Sequence, residues 1–167
     1  LARRGQLLQP RGEQTWPDGT VAGSYAFVHA LDREVIYTRL PAARHMQLHR
    51  RIGERQEAGY AAQARGRATE VAVHFEQGRD FRRAVSYLQY AAENALRWNA
   101  PPEAIMHATR GLELLQTWPD PADRTQQELN FQIMLGPALI ATKGSAAPEV
   151  EQTYARARVL CQQVGET

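Results

Sequence analysis

The chain contains 167 residues, of which 43% are hydrophobic, so it has enough apolar material to bury a core. Its formal net charge is only +2, and its arginines are spread among glutamates, unlike the clustered basic face of a nucleic-acid-binding module. It shows no signal peptide and no membrane-length apolar run, and Cys161 is its only cysteine. These features favour a cytoplasmic protein with no membrane partner and no internal disulfide.

The first third of the chain mixes two kinds of pattern. Residues 1–9 suit the end of a helix. Asp18-Gly19 lies between extended runs and predicts a hairpin turn, because both residue types accept positive φ. Residues 21–29 then alternate with period two, as in a strand that has two unlike faces.

Helical spacing replaces this alternation in the next segment. One helix begins at Ala30, and a second follows Pro41 with Leu48 and Ile52 as its apolar stripe. Residues 13–60 therefore predict a hairpin followed by two helices.

Residues 61–167 show helical patterns only, separated by residues that begin or end helices. Gly78 is placed to end one helix and Asp80 to cap the next one. Pro101-Pro102 and Asp120-Pro121 each open a further helix, since proline fits the first turn.

In the last part of the chain, one proline lies inside a predicted helix. Pro137 predicts a kink or a break in its helix, because it lacks an amide hydrogen. The segment 143–145 is expected to be a loop, and Pro148 opens the last helix. Tyr154 and Cys161 are expected on the apolar stripe of that helix, with Cys161 as a small core residue.

Small residues dominate the stripes of the helices predicted over 80–98 and 101–117. The expected packing residues are Ala84, Leu88, Ala91, Ala104, Ala108 and Gly111. Small side chains let helix axes approach closely, as in tetratricopeptide repeats, although the spacing is shorter than the standard repeat of about 34 residues. Short turns make neighbouring helices antiparallel. The expected fold class is mainly α, with a short N-terminal β-hairpin and helices followed by an antiparallel α-solenoid.

Five segments carry a resemblance to a known family: YAFVHALDREVIY at 25–37, LHRRIGE at 48–54, VHFEQGRD at 73–80, GLELL at 111–115 and ATKG at 141–144. Together they resemble large bacterial signalling ATPases of the STAND type. In that family a winged-helix-like segment follows the nucleotide-binding domain, tetratricopeptide repeats come later, and an adenylate or guanylate cyclase domain often comes first. The resemblance implies a partial winged-helix-like junction over 1–60 and tetratricopeptide-like repeats over 61–167. The ATPase and cyclase portions are absent from these residues.

The sequence predicts no catalytic residue and no cofactor. A phosphate-binding loop needs Gly, four residues, then Gly-Lys and Ser or Thr. Lys143, the only lysine, has no such glycine ahead of it, because Gly136 is seven residues away and precedes a proline.

The histidines do not predict a metal site. His45 and His49 have the spacing of helical metal ligands, but Met46 stands where a zinc-protease motif has glutamate, and no third ligand is evident. Both are expected to pack at the edge of the Leu48–Ile52 stripe. His29 is expected to form a local hydrogen bond where the strand gives way to a helix.

Arg44, Arg50 and Arg51, together with His29, form a candidate docking surface. Arginines suit phosphates, so DNA binding through residues 13–60 is an alternative. Glu54 dilutes the basic patch, however, and no polar recognition helix follows the hairpin, which argues against nucleic acid.

The sequence thus predicts a non-catalytic regulatory and scaffolding segment of a bacterial signalling ATPase. Its expected partners are the ATPase domain of the parent chain and an unidentified protein bound to the solenoid. The alternative is that it shares the activity of its parent: ATP binding, cyclase-linked signalling or transcriptional regulation.

Overall fold

The structure, a computed structural model, describes residues 7–118 and 121–165. Within these residues the chain forms two strands, seven α-helices and one 3-10 helix. In chain order they are β1 (Leu8–Thr15), β2 (Val21–Phe27), α1 (Ala30–Arg39), α2 (Ala42–Tyr60), the 3-10 helix (Ala61–Arg67), α3 (Ala68–Gln77), α4 (Phe81–Arg97), α5 (Pro101–Leu115), α6 (Pro121–Lys143) and α7 (Pro148–Gly165). The expected fold class, mainly α with an N-terminal β-hairpin, is confirmed.

The hairpin is antiparallel and turns at the predicted Asp18-Gly19 pair. Gly19 has a φ of 83°, a conformation that glycine adopts without steric cost. The first strand begins at Leu8, so the prediction that residues 1–9 end a helix is wrong for residues 8 and 9, and residues 1–6 lie outside the described residues. These residues are extended because the turn pairs Leu8 with Phe27 across the ladder.

The core lies in the helices that follow the hairpin, where each helix packs against the next one from α2 to α7. The largest fully buried side chains include Phe75 of α3 and Phe131 of α6. The small-residue stripes are buried as well, at Ala84, Leu88, Ala91, Ala104, Ala108 and Gly111. Short connections and sequential packing make neighbouring helices antiparallel.

Two glycines allow the closest helix contacts. A Cβ on Gly111 would overlap the ring of Phe131, so α5 and α6 approach at a distance that any side chain would prevent. A Cβ on Gly136 of α6 would lie 2.6 Å from the Tyr154 ring of α7. Glycine at these two positions therefore sets the separation between successive helices.

At the boundary between α3 and α4, close packing and positive φ fall on two different residues, Gly78 and Arg79. Gly78 follows the last residue of α3 as expected, but the residue with positive φ is Arg79, at 56°. Gly78 is needed for space instead, because a Cβ there would lie 2.8 Å from the backbone nitrogen of Arg50. Asp80 caps α4 as predicted and accepts a hydrogen bond from the Arg83 amide. The cap expected at Asp120 lies outside the described residues.

The predicted break at Pro137 does not occur, and α6 continues through it to Lys143. The proline is exposed, while Phe131, Ala138 and Leu139 on the same helix are buried. The carbonyl that loses its donor belongs to Ile133, an exposed residue that water can reach. Packing on both sides of the proline holds the helix together.

The buried stripe of α7 differs from the expected one. Thr153 and Leu160 are buried together with Val150 and Ala157. Cys161 is exposed, so its assignment as a core residue is wrong. The side chain that fills the core is its neighbour Leu160, which is larger and more apolar. None of the described helices has the length and apolar character that crossing a membrane requires.

Candidate docking surface

One face of α2 borders an open groove of about 710 Å³ beside the hairpin. Its apolar lining comes from Leu48 and Ile52 of α2 and from Trp16 of the hairpin loop. Ile52 is 41% exposed. The remaining lining is polar and consists of Arg51, Glu54, Arg55 and Gln56.

This arrangement corrects the expected orientation of α2. The buried residues of α2 are Gly53, Gln56 and Gly59 rather than Leu48 and Ile52. The stripe points outward because Gly53 admits Phe75 of α3, whose ring would lie 3.1 Å from a Cβ at that position. The contact between Gly53 and Phe75 therefore fixes this interface, while Ile52 is exposed and Leu48 is half-buried.

Trp16 is held between the hairpin turn and the end of α2. Its amide donates to the carbonyl of Thr20 at 2.8 Å, which closes the hairpin loop. Its indole lies 5.1 Å from the Tyr60 ring, measured between centroids. A Cβ on Gly59 would lie only 2.6 Å from the indole, so the ring packs directly on the backbone of α2.

An ion pair also fixes the hairpin on α2. The Arg55 guanidinium donates to the Asp18 carboxylate at 2.6 Å and lies 4.4 Å from the centre of the Trp16 ring. The amide of Thr20 donates to the same carboxylate at 2.9 Å. The hydrogen bond from Arg55 and the one from Thr20 hold the pKa of Asp18 well below its usual range.

The structure separates the four residues of the predicted docking surface. Arg51 lines the groove, and Arg44 lies on the same side of α2 by helical spacing. Arg50 does not line the groove and contacts Glu54 at 3.1 Å and Asp80 at 4.0 Å. His29 is exposed at the start of α1, and its side chain forms no capping hydrogen bond, so the expected local bond is absent.

Exposed large apolar side chains are concentrated on the hairpin and α1, and the sequence pattern did not predict this. Tyr25 is 66% exposed and Leu31 is 73% exposed, and α1 has no buried residue at all. Other exposed apolar side chains in this region are Leu8, Val21, Val28, Val35, Ile36 and Tyr37. The period-two pattern showed that β2 has two unlike faces but did not show which face is covered.

A cluster of imidazole rings connects α1 to the helices behind it. The Tyr37 hydroxyl of α1 lies 3.1 Å from Nε2 of His49, and Nδ1 of His49 lies 3.0 Å from Nδ1 of His74 on α3. His45 packs edge-on against Tyr37, with centroids 4.3 Å apart. The histidines therefore pack on α1 and α3 rather than at the edge of the Leu48–Ile52 stripe.

Only one proton can lie between the two Nδ1 atoms, so at least one of the two rings is neutral. Burial lowers the pKa of His49, and the neighbouring imidazoles of His74 and His45 lower it further. Burial also lowers the pKa of His74, although the Glu70 carboxylate opposes this effect. Within residues 7–118 and 121–165, no group of three or more histidine, cysteine, aspartate or glutamate side chains is arranged to hold a metal ion.

The helical stack has a smaller pocket of about 230 Å³ between the 3-10 helix, α3, α4 and α5. Trp98, which is 68% exposed, lies at this pocket together with Asn94 and Glu103. His107 is buried there, 3.3 Å from the Thr69 hydroxyl, and burial lowers its pKa. An exposed tryptophan beside polar side chains is typical of a protein-binding surface.

Comparisons with models of protein families, with curated proteins and with solved structures found no match to this chain.

Proposed function

We propose that this chain is a non-catalytic regulatory and scaffolding segment of a bacterial signalling ATPase. Residues 1–60 dock on the ATPase domain of the parent protein, and residues 61–167 act as tetratricopeptide-like repeats that bind a partner protein. The observation that carries the proposal is the exposed apolar surface of the hairpin and α1. An apolar surface of this kind on an otherwise well-packed chain indicates an interaction site.

The packing of the N-terminal region supports docking. The side chains of α1 contribute nothing to the core, whereas Phe75 and the helices after it form a continuous buried interior. Trp16 and the ion pair between Asp18 and Arg55 hold the hairpin firmly on α2. The hairpin is therefore positioned on α2 beside an uncovered apolar face, as expected of a docking surface.

The helical stack supports the scaffolding role. Its small-residue stripes at Ala91, Ala108 and Gly111 resemble the close packing of tetratricopeptide helices. The pocket beside Trp98 gives such a stack an aromatic anchor, and tryptophan is enriched among the residues that dominate binding energy.

The direct test is a calorimetric titration of this chain with the ATPase domain encoded by the same reading frame. We expect saturable binding that Leu31→Glu weakens at least about tenfold, because a charge on the exposed apolar face must be desolvated in the complex. Val159→Glu is the matched control, since Val159 is an exposed apolar residue on α7. The proposal fails if no ATPase domain lies in the frame, if no binding occurs, or if both variants weaken binding equally.

A second expectation is that this chain alone neither binds nor hydrolyses ATP. Phosphoryl transfer needs a phosphate cradle, a magnesium-binding carboxylate and a group that positions water. Lys143 donates instead to Glu149 at 2.5 Å, across the loop between α6 and α7. Titration with ATP and magnesium, beside a turnover assay, should give no signal. Binding at micromolar affinity that Lys143→Ala abolishes would contradict the scaffold function.

A further inference from the structure

We infer that the groove between Trp16 and α2 receives an acidic amphipathic helix of the docking partner. The apolar side of that helix contacts Leu48 and Ile52, and its carboxylates contact Arg44 and Arg51. The inference rests on the proposed function, because it specifies what one part of the docking surface binds.

The dimensions of the groove suit a short helix. The residues of α2 that line the groove run from Leu48 to Gln56, eight positions apart, which corresponds to roughly 12 Å along the axis. This length matches about two turns of a second helix lying alongside. A groove with apolar lining between polar margins is the usual receptor for an amphipathic helix.

The charged residues around the groove favour an acidic partner. Arg55 is neutralised by Asp18, and Glu54 is contacted by Arg50 at 3.1 Å. Within the part of the chain that the structure describes, Arg44 and Arg51 form no ion pair. Two unpaired guanidinium groups on one face of α2 therefore remain available for bidentate contacts with carboxylates.

The same features argue against two other occupants. A nucleic-acid backbone would pair with the arginines but would leave the apolar lining at Leu48, Ile52 and Trp16 uncovered. A second copy of the chain, docked groove against groove, would bring two further unpaired arginines into the same interface, where like charges repel. An acidic helix with an apolar stripe satisfies both parts of the groove.

The probe is a fluorescein-labelled helical peptide of about 15 residues, with leucine at helical spacing and glutamate between the leucines. Its anisotropy is measured while the full chain is added at low salt. We expect saturable binding with a Kd of about 10–100 µM, and no binding of the matched peptide in which lysine replaces glutamate. Equal binding of the two peptides, or no saturable binding, would overturn the inference.

Protein variants locate the binding site. Arg51→Glu and Leu48→Glu should each weaken the acidic peptide about tenfold or more, while Arg158→Glu, an exposed arginine on α7, should leave it unchanged. Circular dichroism confirms that each variant retains its helices. If duplex DNA at equal charge concentration displaces the peptide, the groove binds nucleic acid and the inference is contradicted. If the chain self-associates and Leu48→Glu abolishes this, the groove binds a second copy and the inference is likewise contradicted.

The test of the groove can fail or succeed independently of the test of docking on the ATPase domain. If the ATPase domain binds and Leu31→Glu weakens it while Arg51→Glu does not, docking stands and the acidic-helix inference fails. If the acidic peptide binds in the groove but the ATPase domain does not bind, the groove has an acidic partner and the proposed parent is wrong.

Discussion

The hairpin with α1 and the helical stack from α3 to α7 use apolar residues in opposite ways. In the stack, Phe75, Phe131 and Leu160 are completely buried, and small residues allow the helices to approach. In the hairpin and α1, Tyr25 and Leu31 are mostly exposed. Burial in the stack stabilises the chain, whereas the N-terminal region has an apolar surface that a partner would cover.

The largest expected difference between the two regions comes from truncating apolar side chains. Phe131→Ala should lower the free energy of unfolding by about 3–5 kcal/mol, because it leaves a cavity next to Gly111. Leu31→Ala should change it by less than about 0.5 kcal/mol, because that side chain is exposed. Urea unfolding followed by circular dichroism measures both values, and equal losses would remove the distinction.

A smaller effect is expected from adding bulk to the stack. Ala91→Leu and Ala108→Leu should each cost about 1–3 kcal/mol, because both alanines are buried on the small-residue stripes of α4 and α5. Ala155→Leu on the exposed side of α7 is the control and should be neutral. Wild-type stability of both buried variants would mean that these helices are not closely packed in solution.

The smallest effect is a pH dependence at the junction of the two regions. The pKa values of His49 and His74 lie below the ordinary 6.5, mainly through burial. As the pH falls through 6.5, these histidines therefore bind protons more readily in the unfolded chain than in the folded one. The free energy of unfolding should decrease from pH 7 towards pH 5. The groups facing this pair are Tyr37 from α1, His45 from α2 and Glu70 from α3.

The variant His49→Gln/His74→Gln tests this pH dependence. Urea melts across this pH range should show a shallower decrease than in the unmodified chain. Part of the dependence of the free energy of unfolding on pH should remain, because burial also lowers the pKa of His107. An unchanged pH dependence in the double variant would show that the imidazole pair does not cause it.

Local signals in the sequence predicted much of the fold. The turn at Asp18-Gly19, the cap at Asp80 and the helix start at Pro101 follow from backbone preferences that act within a few residues. Of the kink or break predicted at Pro137, the break does not occur, because tertiary packing on both sides outweighs one missing hydrogen bond.

The docking surface was less predictable, because it depends on which face of an element meets another. Spacing placed Leu48 and Ile52 on one stripe of α2, but only the contact between Gly53 and Phe75 shows that this stripe points outward. Of the predicted docking arginines, Arg51 lines the groove and Arg50 contacts Asp80 instead. The sequence contains no local signal for Trp16 packing on Gly59, which lies more than 40 positions away.

Hydrogen exchange of the isolated chain most directly tests whether the N-terminal region is a surface without a core of its own. We predict that amides in α1 exchange orders of magnitude faster than those in α4, because α1 has no buried residue and α4 has seven. Adding the docking partner should slow exchange in α1 and leave α4 unchanged. Equal protection of α1 and α4 in the isolated chain would contradict the account, since α1 would then be part of a stable core without any partner.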